Sequence, residues 1–321
     1  MSFLGALDLG LAALVLAVAL WTIATKEAFA AVVGFVAYGL LLSIVWVRIH
    51  AVDVAITEAA IGSGVTGVLL VGGVTRMRQI EVPARPETPG LALRIAAGAL
   101  AAGIAAALAA VVWLLQQPEP APSLAGPVAE NLASTGVGNP ITGVLMAFRS
   151  FDTLLEKVVL ALAVVGVWSL APDRFWGGAP GAPRASSPNG ALTFLAQVLA
   201  PLGVVVGIHI VWVGATEPGG AFQGGAILAA MWMIALIARL AESPPISALW
   251  LRLALVAGPA VFIAIGLAGF VIAGNFLAYP VRFAKPLILV IEAFMTLTIA
   301  ATLPMLVAGP PDRSRQPGGR P

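Results

Sequence analysis

Apolar residues run along this chain in long stretches, separated by short polar or Pro/Gly-rich breaks. A helix that crosses a bilayer needs about 20 mostly apolar residues. Nine stretches approach that length: Phe3–Trp21, Ala28–Val47, Val52–Gly73, Leu91–Leu115, Phe151–Leu170, Leu192–Val213, Ala221–Leu240, Leu249–Ala273 and Pro286–Val307. None alternates apolar with polar residues as a barrel strand would. Backbone groups in hydrocarbon must pair internally, so helices remain. The expected fold class is all-α, a polytopic transmembrane helical bundle of about nine spans.

Two longer breaks divide the pattern. Residues 116–140 are Pro- and Ala-rich, carry no Lys or Arg, and read as an outer loop. Residues 173–190 are Gly/Pro/Ser-rich with two arginines and read as a flexible cytoplasmic linker. The end, 310–321, reads as a disordered tail. Spans one to five and six to nine are therefore expected as two separately packed blocks. No internal repeat stands out.

Composition supports lipid as the solvent. Hydrophobic residues make up 60% of the chain, charged ones 10%, and the mean hydropathy is +1.00. An ordinary soluble domain carries about 25% charged residues. The net charge of +2 does not point to nucleic acid, because the basic residues sit singly at the ends of apolar runs. They do set an orientation. With nine spans, Lys26, Arg76, Arg78, Arg85, Arg94, Arg174, Arg184, Arg239, Arg252, Arg313, Arg315 and Arg320 fall on one side, and Arg48, Arg149, Lys157, Arg282 and Lys285 on the other. The 12 of the 17 on the first side predict that it is cytoplasmic, with the N-terminus outside and the C-terminus inside. Cysteine is absent, which excludes disulfides, thiolate metal sites and iron–sulfur ligation in this chain. Two histidines, His50 and His209, argue against a haem held within it. No removable signal peptide is read at the N-terminus. With no nucleophile, metal cluster or cofactor motif, no catalytic residue, metal or cofactor is expected.

An ionisable group inside a span is a functional candidate by default. Glu58 lies about one and a half turns into the third span, where it can exchange a proton or bond a neighbouring helix. Asp53, at the start of that span, is a helix cap or part of the same pathway. The fifth span opens with a second cluster: Arg149, Asp152 and Glu156 share a narrow arc at 100° per residue, flanked by Lys157. These charges can relay protons or hold a cation. They can equally form an interfacial salt bridge, with Lys157 reaching outward. Glu156 is the deeper of them and the stronger candidate. His209 and Glu292 are lone polar groups in the sixth and ninth spans; the histidine reads more readily as a satisfied core residue. The string Gly62-Ser-Gly-Val-Thr-Gly67 has dinucleotide-loop spacing but lies inside an apolar helix, where small residues permit close packing or a local distortion. Glu217-Pro-Gly-Gly-Ala-Phe-Gln-Gly-Gly-Ala is the most distinctive string. Pro218, Gly219 and Gly220 make a tight turn, and Phe222, Gln223, Gly224 and Gly225 open a helix whose free amides can meet a carboxylate.

These strings resemble a known family. Residues 51–60 with Gly62 and Gly64 resemble the D subunit of membrane-bound hydrogenases and the matching part of the Mrp antiporter A subunit. Asn139-Pro-Ile-Thr through Phe148-Arg-Ser-Phe-Asp-Thr-Leu-Leu-Glu156 resembles the neighbouring E-type module. Pro218-Gly-Gly-Ala-Phe-Gln-Gly-Gly225 resembles the B subunit of Mrp-type cation/proton antiporters. The resemblance implies a D-type module of three spans at 1–80, an E-type module of two at 88–172, and a B-type module of four at 191–309. It departs from the B-type pattern at Ala215, where the family has His, and at Ala221, where it has Gly. His209 does not fill that place.

The resemblance implies a subunit of a multisubunit cation/proton antiporter, with sodium the expected cation. Its partners would be other membrane subunits of the same complex, the cation and protons, and lipid, in a bacterial or archaeal plasma membrane. Two alternatives stand beside it. One is a membrane-arm subunit of a hydrogenase-like or other complex-I-related redox complex, with redox centres on partner subunits. The other is a passive scaffold joining antiporter-like subunits.

Overall fold

The computed structural model describes residues 3–80, 90–114, 123–181 and 190–311. Its helices are α1 (Phe3–Ala24), α2 (Ala28–Arg48), α3 (Val52–Thr57), α4 (Thr66–Ile80), α5 (Leu91–Leu114), α6 (Ala125–Thr135), α7 (Pro140–Gly143), α8 (Ser150–Trp168), α9 (Ala191–Val213), α10 (Ala221–Ile237), α11 (Leu249–Ile272) and α12 (Ala284–Ala308). A π-helical stretch, Glu58–Val65, joins α3 to α4 in one continuous span. A second, Val144–Phe148, follows α7.

Among the described residues seven helices are long and apolar enough to cross a bilayer. The other two of the nine expected are special for physical reasons. Helix α8 has 19 residues and carries Asp152, Glu156 and Lys157 in its first half. Helix α10 is apolar but has only 17 residues. Both pack against neighbouring helices, which take the place of lipid for much of their surface.

The loop expected at 116–140 contains α6, closed by Gly136 in the left-handed conformation (φ 70°). Asn139 then starts α7: its side chain accepts the Ile141 N–H at 2.9 Å, with Pro140 at the first helical position.

The two-block expectation is corrected. Helix α10 lies between α9 and α12, and also touches α3 and the first π-helical stretch; α8 packs on α11 and α12. One apolar cluster joins Val137, Met146 and Leu154 to Ala221, Phe262 and Ile288. Another joins Val65 to Ala226, Met233 and Ile299. The reason lies in α10. Gly224 and Gly225 bring it so close that a Cβ would stand 2.6 Å from the Gly207 carbonyl of α9 or 2.8 Å from Ile299 Cβ of α12. Its remaining face takes Val65 from the third span.

The linker expectation is corrected in part. Asp173–Phe175 forms one 3₁₀ turn. The Gly178 carbonyl accepts the Ile246 N–H at 2.9 Å, and the Gly177 carbonyl accepts the Ser247 hydroxyl at 2.9 Å. Pro180 pairs with Pro311 across an isolated bridge. The first half of 173–190 is thus bonded to the α10–α11 connection. Residues 182–189, the tail from 312, and Arg85, Arg184, Arg313, Arg315 and Arg320 lie outside the described residues.

Candidate functional site

The connection between α9 and α10 is where distant parts of the sequence meet. Gly219 (φ 152°) and Gly220 (φ 114°) turn the chain through conformations that side chains disfavour. The Gly219 N–H donates to Asp53 Oδ1 at 2.8 Å, and Gln223 Nε2 donates to the Asp53 carbonyl at 3.4 Å. From the other side, Asn139 Nδ2 donates to the carbonyls of Gly214 and Glu217 at 3.3 and 3.0 Å. Thr142 Oγ1 donates to the Gly214 carbonyl at 2.6 Å. The Ala215 carbonyl accepts the Gly138 and Asn139 N–H groups at 2.7 and 3.2 Å. Unmade buried bonds of this kind cost about 1–3 kcal/mol each, so the loop is fixed from two sides.

Asp53, expected at a helix start, is buried and does not cap its own helix. The free amide it meets is at the glycine turn, as that turn's geometry suggests. Asn139 and Thr142 are not conspicuous in the sequence as site residues. The Asn-Pro pair signals a helix start, but nothing local signals a reach across 75 residues to Gly214.

Beside this knot lies a cavity of about 560 Å³. Its polar lining includes Thr57, Thr142, Thr153, Glu156, Lys157 and Glu292, with Phe222 and Gln223 from the start of α10. The structure reverses the expected depths of the α8 charges. The Lys157 side chain is only 1% exposed and that of Glu156 is 59% exposed. Neighbours on a helix point about 100° apart, so one of the two faces α10 while the other faces outward. Lys157 does not reach to the surface: its Nζ sits 4.1 Å from the Phe222 ring centroid and 3.8 Å from Glu156 Oε2. Arg149 and Asp152 form an exposed ion pair with each other at the start of α8. Desolvating an ammonium costs several kcal/mol. A ring contact returns about 2 kcal/mol when desolvated. Packing alone does not favour a lysine there.

Glu292 is buried, 3% exposed. Its Oε2 has no hydrogen-bond partner among the described residues. The carboxylate meets the Ala221 N–H at the α10 N-terminus, where the helix dipole favours negative charge. Gly220 leaves room for it: a Cβ there would stand 3.1 Å from Glu292 Oε1.

Glu58 opens the first π-helical stretch and is half-buried. Its carboxylate rests on Gly62 and Gly39. Ser63, also inconspicuous in the sequence, is buried opposite Gly39, with its hydroxyl unpartnered among the described residues. The first four residues of the dinucleotide-like string, Gly62 to Val65, are therefore π-helical, the local distortion its small residues permit, and Thr66 and Gly67 open α4. His209, expected as a core residue, is on the exposed face of α9. Ala215, in the place of the family histidine, is buried in the apolar cluster with Val137.

A multi-helix membrane protein that holds ionisable groups inside its bundle, around a glycine turn fixed from two sides, is the class these features define. Residues 13–79 match the MbhD family, the D subunit of MBH. Residues 191–309 match a domain related to the MnhB subunit of Na+/H+ antiporter. Two stretches of one chain thus resemble, in order, a D-type subunit and a domain related to MnhB. Its fold is similar to a chain of the Mrp complex from Dietzia sp. DQ12-45-1b, with TM-score 0.73 and 24% identity over 96% of this chain and 35% of that one. It is also similar to a chain of the membrane-bound sulfane sulfur reductase, an archaeal respiratory membrane complex, with TM-score 0.56 and 22% identity over 68% of this chain and 97% of that one. An uncharacterized protein of Methanocaldococcus jannaschii is 31% identical over 160 residues, 44% of this chain and 60% of that protein. The chain thus spans about 60% of that relative's length and 35% of the Mrp chain's.

Proposed function

We propose that this chain is a subunit of a multisubunit cation/proton antiporter, exchanging sodium for protons, and that it contributes intramembrane carboxylates to the ion pathway. The observation that carries this reading is the 560 Å³ cavity in which Glu156, Lys157 and Glu292 from two helices meet the glycine turn. Charged side chains inside a span are costly and mark ion routes in membrane proteins. A carboxylate can hold a proton or a hard cation, so one site can serve both halves of an exchange. The match to a domain related to an Na+/H+ antiporter subunit supports the same reading. In this reading residues 88–172 act as an E-type module between the D- and B-type parts, the N-terminus lies outside, and the other membrane subunits supply the rest of the pathway.

The test is dye-monitored sodium/proton exchange in everted vesicles carrying the whole complex, with assembly followed on native gels. Glu58→Gln and Glu156→Gln are expected to assemble normally and to lose exchange. Near-normal exchange in both would leave the scaffold reading in front. The fold it shares with a chain of a respiratory membrane complex favours a second reading, a redox-linked membrane arm. Iron–sulfur or hydrogenase-like subunits purifying with the chain would select it.

A further inference from the structure

Lys157 is not explained by packing, and its neighbours suggest what it does. Its ammonium sits on the Phe222 ring, 3.8 Å from Glu156, in a cavity that Glu292 also lines. Glu292 Oε2 is buried and unpartnered among the described residues. An aromatic face, two carboxylates and hydroxyl oxygens from Thr57 and Thr153 form a set that suits a small monovalent cation. The position such a cation would take, on the ring beside a carboxylate, is held by a cation that belongs to the chain.

We propose that Lys157 is a tethered competitor for a monovalent-cation site formed by Glu156, Glu292 and the Phe222 ring, so that a free cation enters only as the Lys157 ammonium gives up a proton. This inference rests on the exchange reading and deepens it. The exchange balances: one positive charge enters as the cation, and one leaves as the proton, which the ammonium hands to the Glu156 carboxylate 3.8 Å away. Among the described residues, few titratable or polar groups share this cavity with Lys157. Helix α8 supplies Glu156 and α12 supplies Glu292. Helix α10 supplies Phe222 and Gln223, neither of which titrates. The third span supplies Thr57, and its Asp53 is engaged with Gly219.

The experiment compares Lys157→Gln and Lys157→Arg in the intact complex, measuring sodium binding and exchange against sodium concentration at several pH values. Arginine stays protonated throughout, so it should hold the site closed. Lys157→Arg is therefore expected to assemble and to lose exchange. Glutamine removes the competitor together with its proton, so sodium should bind about tenfold more tightly and with a flatter dependence on pH, while coupled proton release is lost. Unchanged sodium and pH dependence in Lys157→Gln would overturn the proposal, even if the arginine variant fails to assemble. If Glu156→Gln abolishes exchange while both Lys157 variants behave as the parent, this inference falls and the antiporter reading stands. If the parent complex exchanges no cation at all, both fall.

Discussion

Helices α12 and α5 are of nearly equal length and similar apolarity, yet the chain treats them differently. Over its most apolar stretch α12 buries 56% of its residues inside the protein, and α5 buries 0%. Helix α12 meets α8, α10 and α11, and it carries polar groups that only a protein interior can satisfy. Thr298 Oγ1 donates to the Ala254 carbonyl and accepts the Gly258 N–H, both at 2.8 Å. Helix α5 is rich in alanine and leucine and has no buried residue. The contrast separates two ways of being apolar in a membrane. One helix is apolar because it packs inside the bundle; the other's apolar surface faces whatever surrounds the chain. Hydropathy alone scores them alike, at 2.0 and 2.3.

The comparison is broken most severely at the glycine turn beside α10. A Cβ on Gly214 would collide with the backbone N and Cα of Gly220, which cannot move without releasing the loop from Ile210 and Asp53. Gly214→Ala is expected to destabilise the protein by about 3 kcal/mol. The measurement is the thermal midpoint and yield of folded, detergent-purified protein. Parent-like behaviour would mean that the loop is not fixed as described.

Next in size are the two clamps on that turn. Asn139→Ala removes two bonds to loop carbonyls and a helix cap, and should cost about 2 kcal/mol. Asp53→Ala should cost about 1–2 kcal/mol through the orphaned Gly219 N–H. Because both hold one loop, a double-mutant cycle on thermal stability should show coupling of about 0.5 kcal/mol or more. Strict additivity would show that the two clamps act independently and that the loop does not tie the N-terminal and C-terminal parts together.

These clamps also mark the limit of what the sequence discloses. The helical class, the membrane spans and the glycine turn follow from length, hydropathy and backbone chemistry, all of which are local. Glu58, Asp53 and Glu156 stand out because a carboxylate in an apolar run is conspicuous wherever it points. The direction each one faces is not local. Glu156 and Lys157 differ by one residue and so by about 100°, and only the position of Phe222 decides which is buried. His209 looks like a core residue because its neighbours are apolar, but on α9 apolar neighbours also line the outer face. In a soluble protein the polar face would reveal the inside by contrast. Where lipid is the solvent that contrast is lost, and the two-block expectation fails for the same reason.

The smallest expected effect tests the other end of the comparison, on α5. Gly98 and Gly103 have nothing within 4 Å of where a Cβ would stand. Alanine at either position therefore meets no clash within the chain, and it favours the helix slightly through propensity. Gly98→Ala and Gly103→Ala should change the stability of the isolated protein by no more than about 1 kcal/mol, in the stabilising direction. Thermal midpoints of the purified chain, beside that of Gly214→Ala, give the direct contrast. A clear loss of stability in the isolated chain would show that α5 packs within it, contrary to its exposure. In the proposed complex the reading is sharper. Small residues let membrane helices approach closely, and a methyl group at such a contact pushes the backbones apart. If the two variants leave the isolated chain unchanged, their effect on the complex identifies what α5 faces. An unchanged complex means lipid, and a weakened one means a neighbouring helix.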